Sequence, residues 1–202
     1  MKTEFEVKFY PVDKDDVISK LKVNGGVLVQ TEVKTLIAAY NRQANPQIDG
    51  HYIRVRNEGD KVRLSIKINA TEDGAVADQK EIDTIVSDFE ATVQILEHAG
   101  LRRSGYQEKL RETWKLGTSE IVVDTWPGLE PYIEIEDNSE EAIRKTAALL
   151  EFDWQDKIIT SVVEIYMDKY QLSGDKVLSL MGNATFDNNP FTQYLDQAKA
   201  KA

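Results

Sequence analysis

The sequence predicts an α+β fold in which an antiparallel sheet or barrel has helices packed against its outside. Two observations favour this class. Segments with strand periodicity outnumber helical ones, and neighbouring strands are mostly joined by short turns, unlike the alternating pattern of doubly wound βαβ folds. With 202 residues, the chain is long enough for one domain, or for one domain with a helical appendage.

The predicted strands are segments in which apolar and polar residues alternate, so that residues two apart share a face. They lie near residues 3–10, 28–40, 50–57, 61–69, 77–84, 106–115, 119–125 and 131–137. Hairpin turns are indicated at Glu58-Gly59-Asp60 and Leu116-Gly117-Thr118, because glycine readily adopts the positive φ of tight turns.

Four segments show helical periodicity, near residues 13–22, 88–99, 139–151 and 161–171. Ser87 with Glu90, and Ser161 with Glu164, match the capping box that begins a helix. Asn189-Pro190 predicts the start of a last amphipathic helix. Since 182–189 resembles a linker, we expect a main domain over residues 1–172 and a helical appendage over 173–202.

Composition excludes several classes of function. There is no Cys and there are only two His, which excludes disulfide scaffolds, thiolate metal sites, thiol catalysis and a tri-histidine zinc site. The net charge of −10 disfavours a nucleic-acid partner. No apolar run approaches the roughly 18 residues of a membrane span, and the N-terminus lacks a signal peptide's apolar core. We therefore expect a cytoplasmic protein that is not in the membrane.

Six predicted strands have one charged and one apolar face, and like charges recur two residues apart. Glu4-x-Glu6, Arg54-x-Arg56, Lys109-x-Arg111 and Glu134-x-Glu136 are such pairs. Two carboxylates repel by about 4 kcal/mol at 4 Å with an effective dielectric constant near 20. A divalent cation would offset this repulsion, and Mg²⁺ is typically held by one or two carboxylates together with water and phosphate oxygens.

The amphipathic helices need an apolar surface, so we expect the apolar strand faces to point outward and, if the sheet closes, the charged faces to line its interior. The candidate lining contains six bases and five acids. They are Lys8, Arg54, Arg56, Lys67, Lys109, Arg111, Glu4, Glu6, Asp124, Glu134 and Glu136. Burying these groups without a ligand is costly, so the pattern predicts a site for a polyanion and a metal.

Read in order, these residues resemble the CYTH superfamily, the triphosphate tunnel metalloenzymes. Glu4-x-Glu6-x-Lys8 resembles the ExExK signature of that family, and the later charged elements follow in the family's order over roughly residues 2–170. The resemblance implies a closed or nearly closed eight-stranded antiparallel barrel, a triphosphate tunnel that binds Mg²⁺ or Mn²⁺.

The resemblance also implies residue roles. The metal-site carboxylates would be Glu4, Glu6, Glu134 and Glu136, with Asp124 beside them. The phosphate contacts would be Lys8, Arg54, Arg56, Lys67, Lys109 and Arg111. Glu4, Glu6 and Lys8 are the candidate catalytic residues, with metal-activated water favoured over Lys8 as the proton acceptor. The roles of Glu81 and Asp83 stay open.

The leading function is metal-dependent hydrolysis of a triphosphate, either inorganic tripolyphosphate or a small organic triphosphate. The first alternative is a class IV-type adenylyl cyclase that converts ATP to cyclic AMP and pyrophosphate, and Trp126 is a candidate for stacking the base. The second is a non-catalytic polyphosphate- or nucleotide-binding module. The last helix would either pack on the tunnel or mediate the formation of a homodimer.

Overall fold

Eight antiparallel strands form one strongly curled sheet in this computed structural model, which describes residues 2–41, 44–48, 51–68 and 79–195, with residues 2–4, 79 and 80 described by backbone alone. The strands are β1 Lys2–Phe9, β2 Val27–Tyr40, β3 His51–Asn57, β4 Val62–Ile68, β5 Gln79–Val86, β6 Gly105–Leu116, β7 Ser119–Thr125 and β8 Tyr132–Asp137. The helices among the described residues are α1 Lys14–Val23, α2 Phe89–His98, α3 Glu140–Leu149, α4 Val162–Tyr170 and α5 Gly174–Met181.

The strands follow one another around the barrel in the order β1-β5-β4-β3-β2-β6-β7-β8. The ring closes at β1, whose first residues pair with β5 and whose residues Phe5–Phe9 pair with β8. The β1–β5 pairing is the shortest, because it extends only over Lys2, Thr3 and Glu4. The prediction of a closed or nearly closed eight-stranded antiparallel barrel with external helices is confirmed.

The apolar strand faces point outward beneath the helices, as predicted. Val7, Ile133 and Ile135 pack with Leu21 of α1 and Ile143 of α3 in one buried cluster. A second cluster places Ala38, Tyr40 and Val55 beneath Phe89 and Val93 of α2. Successive residues of a strand point to opposite faces. Because the apolar face is covered by helices on the outside, the charged face points into the barrel.

The helix caps follow the sequence with one correction. Asp88 caps α2, its carboxylate accepting the Ala91 N–H at 2.7 Å, so the prediction of a Ser87 cap is wrong. Both residue types cap well, and Phe89, which is the first residue of the helix, is buried in the α2 cluster. Ser161 caps α4 as predicted, accepting the Val163 N–H.

The C-terminal part of the described chain covers one end of the barrel. Lumen-facing Ile37 and Tyr132 share a cluster with Tyr166 of α4, Val177 of α5 and Phe191. Past α5, the Ala184 carbonyl accepts the Glu108 N–H of β6 at 3.0 Å. A 3₁₀ turn, Thr192–Tyr194, stands at the start of the predicted last helix, and residues 196–202 lie outside the described residues. The domain division at residue 172 stays a prediction.

None of the described helices is long and apolar enough to cross a membrane.

We predict that Phe191→Ala lowers the free energy of unfolding by about 3–4 kcal/mol. Phe191 is 0% exposed, and its ring centroid lies 4.2 Å from that of Tyr166. Urea denaturation measures the change, and Phe186→Ala is the matched control because Phe186 is 38% exposed. A loss below about 1 kcal/mol, similar to that of the control, would mean that this segment is not part of the core.

Candidate active site

The barrel lumen holds all six bases that the sequence places there. The register of the strands determines this arrangement, because paired residues share a face. For example, Arg54 is paired with Ser65, and Lys67, two residues further along β4, is paired with Tyr52, so Arg54 and Lys67 lie on the same face. Lys8 and Lys109 are only 4% and 5% exposed. Such buried cations require nearby anions from the protein or from a ligand.

Asp124 joins two of these bases. Its carboxylate is 0% exposed and accepts hydrogen bonds from Arg111 Nε and Nη2, at 2.7 and 2.6 Å, and from Lys109 Nζ at 2.7 Å. Burial opposes ionisation, but the two cations lower the pKa of Asp124. Both carboxylate oxygens are therefore engaged, so Asp124 orients Arg111 and Lys109, and its role beside the metal stays a prediction.

Lys8 is held between two of the predicted metal-site carboxylates. Its Nζ lies 2.7 Å from Glu6 Oε1 and 3.5 Å from Glu134 Oε1, and Lys67 Nζ lies 3.4 Å from the other Glu6 oxygen. Burial opposes protonation, yet Glu134 and Glu6 raise the pKa of Lys8. Lys8 is therefore suited to bind an anion as a fixed cation, and a role as proton acceptor is disfavoured.

Arg54 and Arg56 share one strand face of the lumen. Glu81 lies 3.3 Å from Arg54 Nη2 and 3.7 Å from Arg56 Nη2, and Glu58 Oε1 lies 3.3 Å from Arg56 Nε. Burial and the adjacent Arg54 lower the pKa of Arg56 to about 9. The Nε atoms of both arginines are buried and lack hydrogen-bond partners. The Nε–H groups on this side of the lumen are thus left without a hydrogen-bond acceptor.

A small acidic cavity of about 30 Å³ adjoins these bases. Its lining residues are Glu6, Arg111, Glu120, Val122, Glu134 and Glu136. Glu120, Glu136 and Glu6 are register partners across three adjacent strands, so their carboxylates stand side by side. Glu120 was not among the predicted site residues, although its spacing of four residues before Asp124 places it on the same strand face.

The cavity suits a hard cation. Its acidic side chains offer only oxygen ligands, which Mg²⁺ and Mn²⁺ prefer. Among the described residues, no three acidic or histidine side chains converge as a complete ligand set, and the side chain of Glu4 lies outside the described residues. Mg²⁺ commonly takes only one or two protein carboxylates and completes its shell with water and phosphate oxygens, which fits this arrangement.

Of two other candidates, Asp83 is exposed, and Trp126 borders the lumen, where Lys109 Nζ lies 5.7 Å from the centroid of its ring. Asp83 forms an ion pair with Arg63 and is largely exposed. Trp126 is buried in the C-terminal cluster, where its Nε1–H donates to the Tyr132 hydroxyl at 2.9 Å. The indole ring is therefore covered by protein, which disfavours the expected stacking on a nucleobase at an open tunnel mouth.

Comparisons with known proteins agree with this architecture. The CYTH domain model matches residues 2–159, while no curated protein matches the chain. A conserved hypothetical protein from Pyrococcus furiosus is 20% identical, with a TM-score of 0.67, over 80% of this chain and 99% of its own. A proposed adenylate cyclase from Vibrio parahaemolyticus is 15% identical, with a TM-score of 0.69, over 82% and 98%.

A third solved structure is a proposed adenylyl cyclase from Hippeastrum for which a dominant triphosphatase activity is described. It is 10% identical, with a TM-score of 0.50, over 83% of this chain and 94% of its own. At these identities the structural likeness establishes the shared fold. The family match includes every strand of the barrel, and the chain therefore belongs to the CYTH domain family, whose members are metal-dependent triphosphatases or adenylyl cyclases.

Proposed function

We propose that the protein is a metal-dependent phosphohydrolase that cleaves inorganic tripolyphosphate or a small organic triphosphate inside the barrel. The observation that carries this proposal is the cationic cluster of Arg54, Arg56 and Arg111. Glu81 contacts the first two guanidinium groups and Glu58 lies 3.3 Å from Arg56 Nε, yet the buried Nε atoms of Arg54 and Arg56 make no hydrogen bond. Guanidinium groups bind phosphate oxygens bidentately, so a polyphosphate would supply the missing acceptors.

The acidic cavity beside this cluster supports metal-dependent hydrolysis as the reaction. A bound Mg²⁺ or Mn²⁺ would neutralise phosphate oxygens and lower the pKa of an attacking water. Glu6, Glu134 and Glu136 would hold the metal, and Arg111 lines the same cavity, where it would orient the reacting phosphoryl group. Lys8 and Lys67 would stabilise the charge that develops on the phosphate chain, since positioning and charge neutralisation dominate phosphoryl transfer.

The second candidate is cyclisation of ATP, as the names of the Vibrio parahaemolyticus and Hippeastrum proteins suggest. Tyr52 favours it, because this ring shares a strand face with Arg54 and is paired in register with Lys67. A purine could stack there beside the phosphates. Hydrolysis remains our first choice because it requires only that the triphosphate be bound. Cyclisation also requires that the base be held, and the buried Trp126 offers no second surface on which a base could stack.

Phosphorus-31 NMR tests the proposal. Purified protein with tripolyphosphate and Mg²⁺ or Mn²⁺ should release orthophosphate and pyrophosphate. The double variant Glu6→Gln/Glu136→Gln should reduce kcat by roughly 100-fold or more, because it removes charge that would hold the metal and activate water. Glu141→Gln, on the exposed surface of α3, is the control that should retain the wild-type rate.

Other outcomes would support a different function. Cyclic AMP and pyrophosphate formed from ATP would identify a cyclase. Metal-dependent binding of tripolyphosphate and ATP without turnover of either would support a binding module. An unchanged rate in the double variant would contradict the assignment of these glutamates.

We also predict a pH dependence of tripolyphosphate affinity. Burial and the nearby Arg111 lower the pKa of Lys109 to about 7, so Lys109 is cationic below pH 7 and loses its charge above it. A bound polyanion favours the charged form, which makes affinity fall by roughly tenfold between pH 6 and pH 8.

The Lys109→Arg variant supplies the reference for this effect, because arginine keeps its charge throughout the range. Calorimetric titration of both proteins without divalent metal isolates the contribution of residue 109, since titration of the ligand affects both equally. The same pH dependence in both proteins would contradict the prediction.

A further inference from the structure

Thr35 is a buried polar residue of the lumen that the mechanism above does not use. It lies in β2 and is paired with Lys109 of β6. Two residues further along β2, Ile37 is paired with Arg56 of β3. Since paired residues share a face, the Thr35 side chain points into the barrel, between the strand that carries Lys109 and the strand that carries Arg56.

The Thr35 hydroxyl has no hydrogen-bond partner. The residue is 1% exposed, and its Oγ1 is one of three buried side-chain atoms of the described residues without a partner, the other two being Arg54 Nε and Arg56 Nε. Buried hydroxyls in folded proteins are nearly always paired. All three groups can donate, and all belong to the neighbouring strands β2 and β3. Although Glu58 lies 3.3 Å from Arg56 Nε, none of the three makes a hydrogen bond within the protein, so three donors in one region of the lumen are available to a ligand.

The neighbouring side chains do not satisfy this hydroxyl. Lys109 Nζ donates to Asp124 at 2.7 Å, and the other lumen-facing residues of this part of β2, Val33, Ile37 and Ala39, are apolar. By contrast, the Ser65 hydroxyl accepts a hydrogen bond from Arg56 Nη2. Valine has nearly the shape of threonine and would fill the Thr35 position without leaving a buried polar atom unpaired.

We propose that the Thr35 hydroxyl donates a hydrogen bond to an oxygen of the bound polyphosphate, beside the positions reached by Lys109 and Arg56. Thr35 is then a substrate-binding residue, and the acceptor of its hydrogen bond is an oxygen of the ligand. This inference rests on the proposed function for the class of ligand, because a phosphate chain supplies the acceptor that the three unpaired donors share.

The test compares Thr35→Val and Thr35→Ser with wild type, using calorimetric titration with tripolyphosphate in EDTA and in Mg²⁺, and thermal melting of the ligand-free protein. Thr35→Val should weaken tripolyphosphate binding by roughly tenfold while leaving the melting temperature equal or higher. Thr35→Ser, which retains the hydroxyl, should bind nearly as wild type does. Thr31→Val, an exposed position on the same strand, should change neither measurement.

Each remaining outcome contradicts the inference in a distinguishable way. Equal affinity of wild type and Thr35→Val would show that the hydroxyl does not contact the ligand. A lower melting temperature for ligand-free Thr35→Val would indicate a structural role. If wild type binds no tripolyphosphate in either buffer, the proposed function itself fails and this inference fails with it.

Discussion

The confinement of ionised side chains inside a closed barrel is the constraint on which the rest of the structure depends. Charges removed from water must be paired or neutralised by a ligand. The lumen meets this requirement unevenly. Asp124 fully engages Arg111 and Lys109, and Lys8 joins Glu6 and Glu134. Around Arg54 and Arg56, Glu81 contacts both groups and Glu58 contacts Arg56, yet neither Nε–H group makes a hydrogen bond.

This unevenness gives the lumen two regions with different chemistry. One presents guanidinium and ammonium groups, while the other, around Glu6, Glu120 and Glu136, presents a row of carboxylates across three strands. A polyphosphate alone would satisfy the first region and be repelled by the second. A metal ion between them suits both, because it is attracted to the carboxylates and to the phosphate oxygens.

Much of the barrel and of its charged lining could be predicted from the sequence, because strand periodicity determines which residues share a face. The hairpin glycines Gly59 and Gly117 adopt positive φ as expected. The spacing of Glu120 from Asp124 places it on the lumen face, but its row with Glu136 and Glu6, like the contributions of Glu81 and Thr35, could not be predicted, since each depends on which residue lies opposite on another strand. Register across the barrel is set by tertiary pairing and has no signature within one segment.

The most direct test of the account is a crystal structure with tripolyphosphate and Mn²⁺, in which anomalous scattering locates the metal. We predict Mn²⁺ in the cavity bounded by Glu6, Glu134 and Glu136, with the phosphate chain extending from it toward Arg54 and Arg56. A metal and phosphate chain bound outside the barrel, or phosphates whose oxygens contact none of the lumen bases, would contradict the central claim that the lumen is a triphosphate site.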